Sequence, residues 1–289
     1  MKFTVHTESL KHLKEALESQ AAGIRFGAEF CEWKIQSLET LREAYTSVKD
    51  SGKTFTYVIP ILSNAGVKKV RDHLTYLRDH DDLEVIIGDI GALNMLHEYN
   101  GLHLRLGRPR VYMPGRSPWD QITRLPNPSF LTRRKVEKIF YQTSLNYGRA
   151  LDYYKGLGVE GADVDWIPKS FPHFKKIIKN GFRLAVHTHA IPVSVTMRCH
   201  MARFIGEGEP ALCSKPCTNR ALNIEQKELK KSFILHGNVV FRPVQSQNRD
   251  VKTLRKMGVE EMIIPMGPVS KLTTAEEVNE AITRLSNGV

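Results

Sequence analysis

TFTYVIPILSNAGVKKVRDHLTYLRDHDDLEVIIGD, residues 54–89, decides the fold class. Residues 54–62 form an apolar, β-branched run that reads as a strand. Over 67–79 the apolar residues Val67, Val70, Leu74 and Leu77 recur at helical spacing, giving one buried face. LEVIIGD at 83–89 is a second, nearly continuous apolar run, as expected of a buried strand. Strand, helix and strand in this order make a parallel βαβ unit.

The same alternation extends both ways. Towards the N-terminus, FTVHT (3–7) and GIRFG (23–27) read as strands. A helix capped by Ser9 runs to about residue 19, with Leu10, Leu13 and Leu17 on one face. Another spans 37–49, with Leu38, Leu41 and Tyr45 inward. Towards the C-terminus come a short helix near 91–98, strand 102–106, a helix over 132–156, strand 162–168, helix 171–180 and strand 182–188. Strand 238–243, helix 250–257, strand 260–266 and a closing helix over 274–285 complete the chain. About eight strands suffice to close a barrel. The expectation is one α/β, TIM-barrel-like (β/α) domain over 1–289, with an open doubly wound sheet as the alternative. Two stretches break the pattern. Residues 107–129, rich in Pro and Arg, read as an insertion or long loop, and 189–237 as a cysteine-bearing excursion.

Composition sets the frame. Of 289 residues, 41% are hydrophobic and 25% charged, which is ordinary for a globular chain. No run of apolar residues is long enough to span a membrane, and the N-terminus has no apolar secretory core. Four cysteines are too few for a disulfide scaffold. The expectation is a cytoplasmic protein with reduced thiols. Lys and Arg exceed Asp and Glu by 42 to 31, a formal +11, which favours an anionic partner such as nucleic acid, a phosphate or a carboxylate.

The cysteines carry the chemistry. Barrel sites form where the βα loops converge, at the C-terminal ends of the strands. Cys31 follows the strand ending at Gly27, whereas Cys199, Cys213 and Cys217 follow the strand ending near Thr188. All four can therefore gather on one face. Four thiolates suit a metal or iron–sulfur site, with zinc as the rival. His200, His187 or His189 could then replace Cys31. The Cys-x13-Cys-x3-Cys spacing is not diagnostic by itself. Arg198, Arg203 and Lys215 would offset thiolate charge, and Gly206, Gly208, Pro210 and Pro216 suit an irregular wrapping loop. Met197 and Met201 read as packing residues beside it.

The segment MRCHMARFIGEGEPALCSKPC (197–217), together with GIRFGAEFC (23–31), resembles the signature of the peptidase family numbered U-thirty-two, the collagenase-like peptidases. One branch of that family pairs an early cysteine with a later Cys–(about a dozen)–Cys-x3-Cys group. The resemblance implies a 4Fe–4S cluster on Cys31, Cys199, Cys213 and Cys217, and it makes Arg198 and Arg203 candidate substrate contacts. It implies oxygen-independent hydroxylation of an aromatic ubiquinone precursor, with a homologous cluster-bearing family member as partner. Other relatives hydroxylate pyrimidines in RNA, with prephenate as the suggested oxygen source. A peptidase activity follows from the family name only. Ala28 stands where the family pattern has an acidic residue, with Glu29 next to it.

Other motifs dissolve on inspection. GLGVEG (156–161) fits a dinucleotide-binding pattern, but a helix precedes it and a strand follows, so it reads as a helix end and turn. His97-Glu98 does not continue into H-E-x-x-H, and no G-x-S-x-G occurs. RLGRPRVYMPGRSPW (105–119) mixes Arg105, Arg108, Arg110 and Arg116 with Tyr112 and Trp119. Such a mixture can grip nucleic acid, yet it reads first as a solvated loop over the barrel. RRKVEK (133–138) reads as a solvated helix start, and His187-Thr188-His189 as strand-end packing and hydrogen bonding.

Overall fold

The computed structural model describes all residues except 81–82, 97–98, 100, 119–128, 208, 210–211, 229, 245–247 and 288–289. Seven parallel strands alternate with helices in chain order: β1 (Lys2–Thr7), β2 (Gly23–Phe26), β3 (Thr54–Ile59), β4 (Leu83–Ile87), β5 (Leu102–Leu106), β6 (Val159–Asp165) and β7 (Arg183–His187). The chain then leaves the barrel for β8 (Ala190–Val195), β9 (Leu222–Gln226), β10 (Lys231–His236) and β11 (Val239–Pro243). It returns as β12 (Glu261–Pro265), which pairs with both β7 and β1. Among the described residues, eight parallel strands thus close a barrel, so the TIM-barrel expectation holds and the open sheet does not.

The helices are α1 (Leu10–Glu18), α2 (Leu38–Asp50), α3 (Asn64–Leu77), α4 (Ile90–Leu96), α5 (Phe130–Phe140), α6 (Gly148–Gly156), α7 (Phe171–Lys179), α8 (His200–Phe204), α9 (Asn248–Met257) and α10 (Ala275–Ser286). The apolar faces of α1, α2, α3, α7 and α10 pack on the outside of the barrel strands, with Leu13, Leu41, Val70, Leu74, Phe174 and Val278 almost wholly buried in one continuous core; α5 buries none of its residues and α8 belongs to the later excursion. No described helix is long and apolar enough to cross a membrane.

Three expectations change. The strand at 238–243 exists as β11, but it belongs to a separate antiparallel sheet of order β8-β11-β10-β9. The excursion is therefore a folded lobe. The helix expected over 132–156 is two helices. Thr143 and Asn146 form a capping box at a short turn over Ser144–Asn146, and these local bonds satisfy the backbone in place of a continuous helix. The 107–129 segment is tucked against the barrel as far as it is described, with Val111 and Met113 fully buried. Residues 119–128 of it, Trp119 included, lie outside the described residues. The helix end expected at Gly156–Gly158 is present: α6 ends at Gly156, Gly158 takes φ +75, a conformation that suits glycine at a helix end, and β6 begins at Val159.

Candidate functional site

The barrel interior is charged. Arg25 of β2 bonds Asp163 of β6 at 2.6 Å and Glu261 of β12 at 3.0 Å. Arg105 of β5 reaches Glu261 and Glu84, each at 2.9 Å, and Thr4 donates to Glu261 at 2.6 Å. His187 lies 3.0 Å from Asp163. Arg25, Arg105, Asp163 and Glu261 are each at most 1% exposed. Burial pushes Asp163 up against the pull of Arg25 and Arg105, whereas at Glu261 those two guanidinium groups overcome burial and hold the carboxyl low. The signal for this network is in the sequence: one charged residue inside each of several apolar strands.

One layer higher, Arg108 leaves β5 and turns inwards. It bonds Glu29 through two nitrogens at 2.6 and 2.5 Å, Asp165 at 3.2 Å and the Ala190 carbonyl at 2.9 Å. Arg116 adds a 2.5 Å bond to Asp165. Arg105 and Arg108 are thus interior residues, which corrects their reading as part of a solvated loop. Their charge is spent on carboxylates rather than held out to phosphates.

The loop after β2 places Cys31. Gly27 has φ +133, and a Cβ there would meet the Val58 carbonyl at 2.4 Å, so glycine is required for the chain to cross the barrel mouth. Phe30 then packs on Phe241 of the lobe, with ring centroids 5.7 Å apart. Cys31 caps a short turn, Glu32–Lys34. Cys199 caps α8, its sulfur accepting from the Ala202 amide at 3.3 Å. Cys213 accepts from the Lys215 amide at 3.3 Å. Cys217, 4% exposed, gives its carbonyl to His236 at 2.8 Å.

The β10–β11 hairpin turn draws these loops together. Gly237 lies so close to Cys217 that a Cβ there would sit 3.5 Å from the sulfur. The Gly237 carbonyl accepts from Met201 of the Cys199 helix at 3.3 Å. Asn238 donates to the Phe30 carbonyl, next to Cys31, at 3.1 Å. Cys31 and Cys199 also line one small cleft with Met197. The thiols are near enough that ionising one disfavours ionising another: Cys217 raises Cys31, Cys199 and Cys213 raise Cys217, and Cys199 raises Cys213. All four are free of disulfides. Burial pushes the Cys31 thiol up to about 11 and raises Cys213 and Cys217. Among the described residues, no group of three or more His, Cys, Asp or Glu is arranged to hold a metal ion.

Of the other sequence candidates, Arg198 and Arg203 are exposed on the lobe, as is His200. His187 is engaged by Asp163, and His189 by Thr188 at 2.5 Å, which bears out the hydrogen-bonding reading of that pair. Met201 is buried, but Met197 is 63% exposed, so only the first is a packing residue. Gly208 and Pro210 lie outside the described residues.

Spacing did not reveal the cavity of about 100 Å³ between barrel mouth and lobe. Its walls include His6, Glu8, His12, Lys34, Arg108 and His236. Lys34 forms an ion pair with Glu8. At Glu8 burial is outweighed by Lys34, His236 and His6, which hold the carboxyl at about 2. Burial would lower Lys34, but Glu8, Cys217 and Cys31 raise it, so this ammonium serves both the cavity and the thiols.

No family model matches the chain, and no curated protein matches it. Solved structures are similar in fold. The U32 peptidase Mk0906 aligns with a TM-score of 0.45 and 13% identity, over 92% of this chain and 93% of that one. Thiamine phosphate pyrophosphorylase from Pyrococcus furiosus gives 0.44 and 10%, over 99% and 96%. Orotidine 5'-monophosphate decarboxylase from Sulfolobus solfataricus gives 0.41 and 9%, over 98% and 99%. The family expected from the cysteine segment is represented among these neighbours, but at such values a likeness carries no argument about activity, substrate or metal.

Proposed function

We propose that the four cysteines hold a 4Fe–4S cluster, and that the chain is a component of an oxygen-independent hydroxylation resembling that of the ubiquinone-biosynthesis protein UbiV. The observation that carries the reading is the gathering of Cys31, from one βα loop, with Cys199, Cys213 and Cys217, from another, around the Gly237 turn. The donor chemistry fits: free thiols, with Lys34 close by to offset thiolate charge. A bound cluster supplies one-electron chemistry. The chain's own residues supply the rest: Lys34 holds positive charge between thiols and cavity, Glu8 fixes Lys34, and the Arg108–Glu29–Asp165 group keeps the barrel mouth rigid.

Serine in place of Cys31 or Cys217, introduced one at a time, is expected to remove most of the broad absorption at roughly 400 nm of protein prepared under nitrogen. Wild-type absorption in both variants would contradict the ligand set. A homologous cluster-bearing partner, in a heterodimer, and a small anionic or aromatic substrate such as prephenate belong to the same reading. The RNA-modifying alternative rests on the +11 charge. It requires RNA affinity that falls steeply with salt.

A further inference from the structure

The segment that carries Cys199, Cys213 and Cys217 also exposes large apolar side chains. Phe204 and Leu212 are each 79% exposed, Met197 63% and Ile205 49%. Each lies within six residues of a cysteine. Glu207 folds the segment back on itself. Its amide donates to the Ala202 carbonyl at 2.9 Å, and its carboxylate accepts from the Ser214 amide at 3.0 Å. Leu212 and Cys213 are thereby brought back towards the C-terminal end of α8, where Phe204 and Ile205 lie. Cys31, Cys199 and Cys213 are only half-buried, so the thiols are not sealed off from this surface.

Cations accompany the apolar group. Arg198, Arg203, Lys215 and Arg220 are exposed, and no ion pair engages them among the described residues. Two acidic side chains stand against them: Glu207, already bonded to Ser214, and Glu209. Neither Arg198 nor Arg203 lines the cavity at the barrel mouth.

Methionine, aromatic residues and arginine exposed together make the composition of a protein-docking surface. A second copy of the chain would set these cations against themselves in a two-fold contact. A lipid surface calls for a longer apolar helix face than the five residues of α8 provide. RNA gains little from Met197, Ile205 and Leu212, which neither stack on bases nor bond phosphates. The excess of cations selects an acidic protein. The cysteines within the same segment select one that carries electrons.

We propose that an acidic electron-carrier protein docks on this patch. Met197, Phe204, Ile205 and Leu212 form the apolar contact, and Arg198, Arg203, Lys215 and Arg220 meet carboxylates of the carrier. The proposal rests on the reading that the cysteines hold a cluster, and it deepens that reading by naming a partner for the site. One electron crosses per encounter: one protein is oxidised by one electron as the other is reduced by one, and no covalent bond forms or breaks. Contacts of this kind are small in area and weak.

The test is biolayer interferometry under nitrogen, with the full chain in solution over an immobilised, acidic, plant-type 2Fe–2S ferredoxin. Saturable binding is expected at roughly 0.05 M salt, and about tenfold weaker binding at roughly 0.3 M. Phe204→Ser with Leu212→Ser, both at exposed positions that folding tolerates, should cost about tenfold or more in affinity while iron content stays at the wild-type level. Arg198→Glu with Arg203→Glu should cost about as much and flatten the salt dependence. No binding of the ferredoxin, or binding that both double variants retain, overturns the proposal. Tighter binding to phosphatidylglycerol vesicles or to transfer RNA, lost in the same variants, gives the patch to lipid or RNA and overturns it too. Iron is measured on the same samples. An iron-loaded chain that does not bind the ferredoxin removes the docking surface and leaves the cluster. A chain without iron that binds it, and loses binding in both double variants, sustains the docking surface and contradicts the cluster.

Discussion

Arg108 shows what one residue does at this barrel mouth. Its planar fork matches the two oxygens of Glu29, and a remaining nitrogen serves both Asp165 and the Ala190 carbonyl. The guanidinium also lies over the Phe30 ring, 5.4 Å from its centroid. Lysine could not satisfy this geometry, having one point of charge. Arg108→Ala would leave two buried carboxylates short of their partner, so a loss of about 3–5 kcal/mol in guanidinium unfolding is expected. A loss below about 1 kcal/mol, typical of a surface pair, would show that the group is not buried as described. Nothing in RLGRPRVYMPGRSPW announces this role. Glu29 is 79 positions away and Asp165 is 57, and local spacing cannot report a pairing that only barrel closure creates.

Among the elements, the β10–β11 hairpin matters most. Its turn places Gly237 at φ +62 and lets Asn238 tie the lobe to the barrel, donating to Phe30 at 3.1 Å and to Thr196 at 2.8 Å. Asn238→Ala removes both bonds and strands two carbonyls. The expected outcome is a stability loss of about 1–3 kcal/mol, together with less iron retained on desalting than wild type holds. Full iron retention would mean that the hairpin does not set the position of Cys31. The sequence made β11 legible as a strand because NVVFRP is apolar and β-branched. The rest of its sheet was not legible: in β9, at the far edge beyond β10, Asn223, Ile224 and Glu225 are all exposed, so no buried face marks the run. The helix over 132–156 failed for a related reason. The bonds of Thr143 and Asn146 interrupt it without changing the apolar period around them.

For the whole molecule, stability couples to pH through buried imidazoles. Burial holds His73 and His189 at about 4, and Tyr57 engages His73 at 2.6 Å. Asp72 opposes the shift at His73 and Lys69 reinforces it. A histidine whose folded value lies below its unfolded value binds more protons when the chain unfolds. Stability is therefore full above about pH 6.5 and falls as pH drops towards 4. His73 contributes roughly 3 kcal/mol of this at most. His73→Gln, which retains an acceptor for Tyr57, is expected to flatten the slope of unfolding midpoint against pH, and an unchanged slope would contradict it. The barrel itself was legible, because its strands are apolar runs and all but β5 and β7 lead directly into a helical period, and those signals are local. The thiol neighbourhood was legible one step further on, since loops after strands of a closed barrel converge. The cavity was not, because it forms between the barrel and a lobe whose fold the sequence did not disclose.

The central claim is that one closed sheet brings Cys31 to the later three cysteines so that together they bind iron. Quantifying iron, acid-labile sulfide and zinc in the full chain prepared under nitrogen tests it most directly. About four irons and four sulfides per chain, with little zinc, is the expected result. Stoichiometric zinc, or no metal at all in a folded chain, would contradict it.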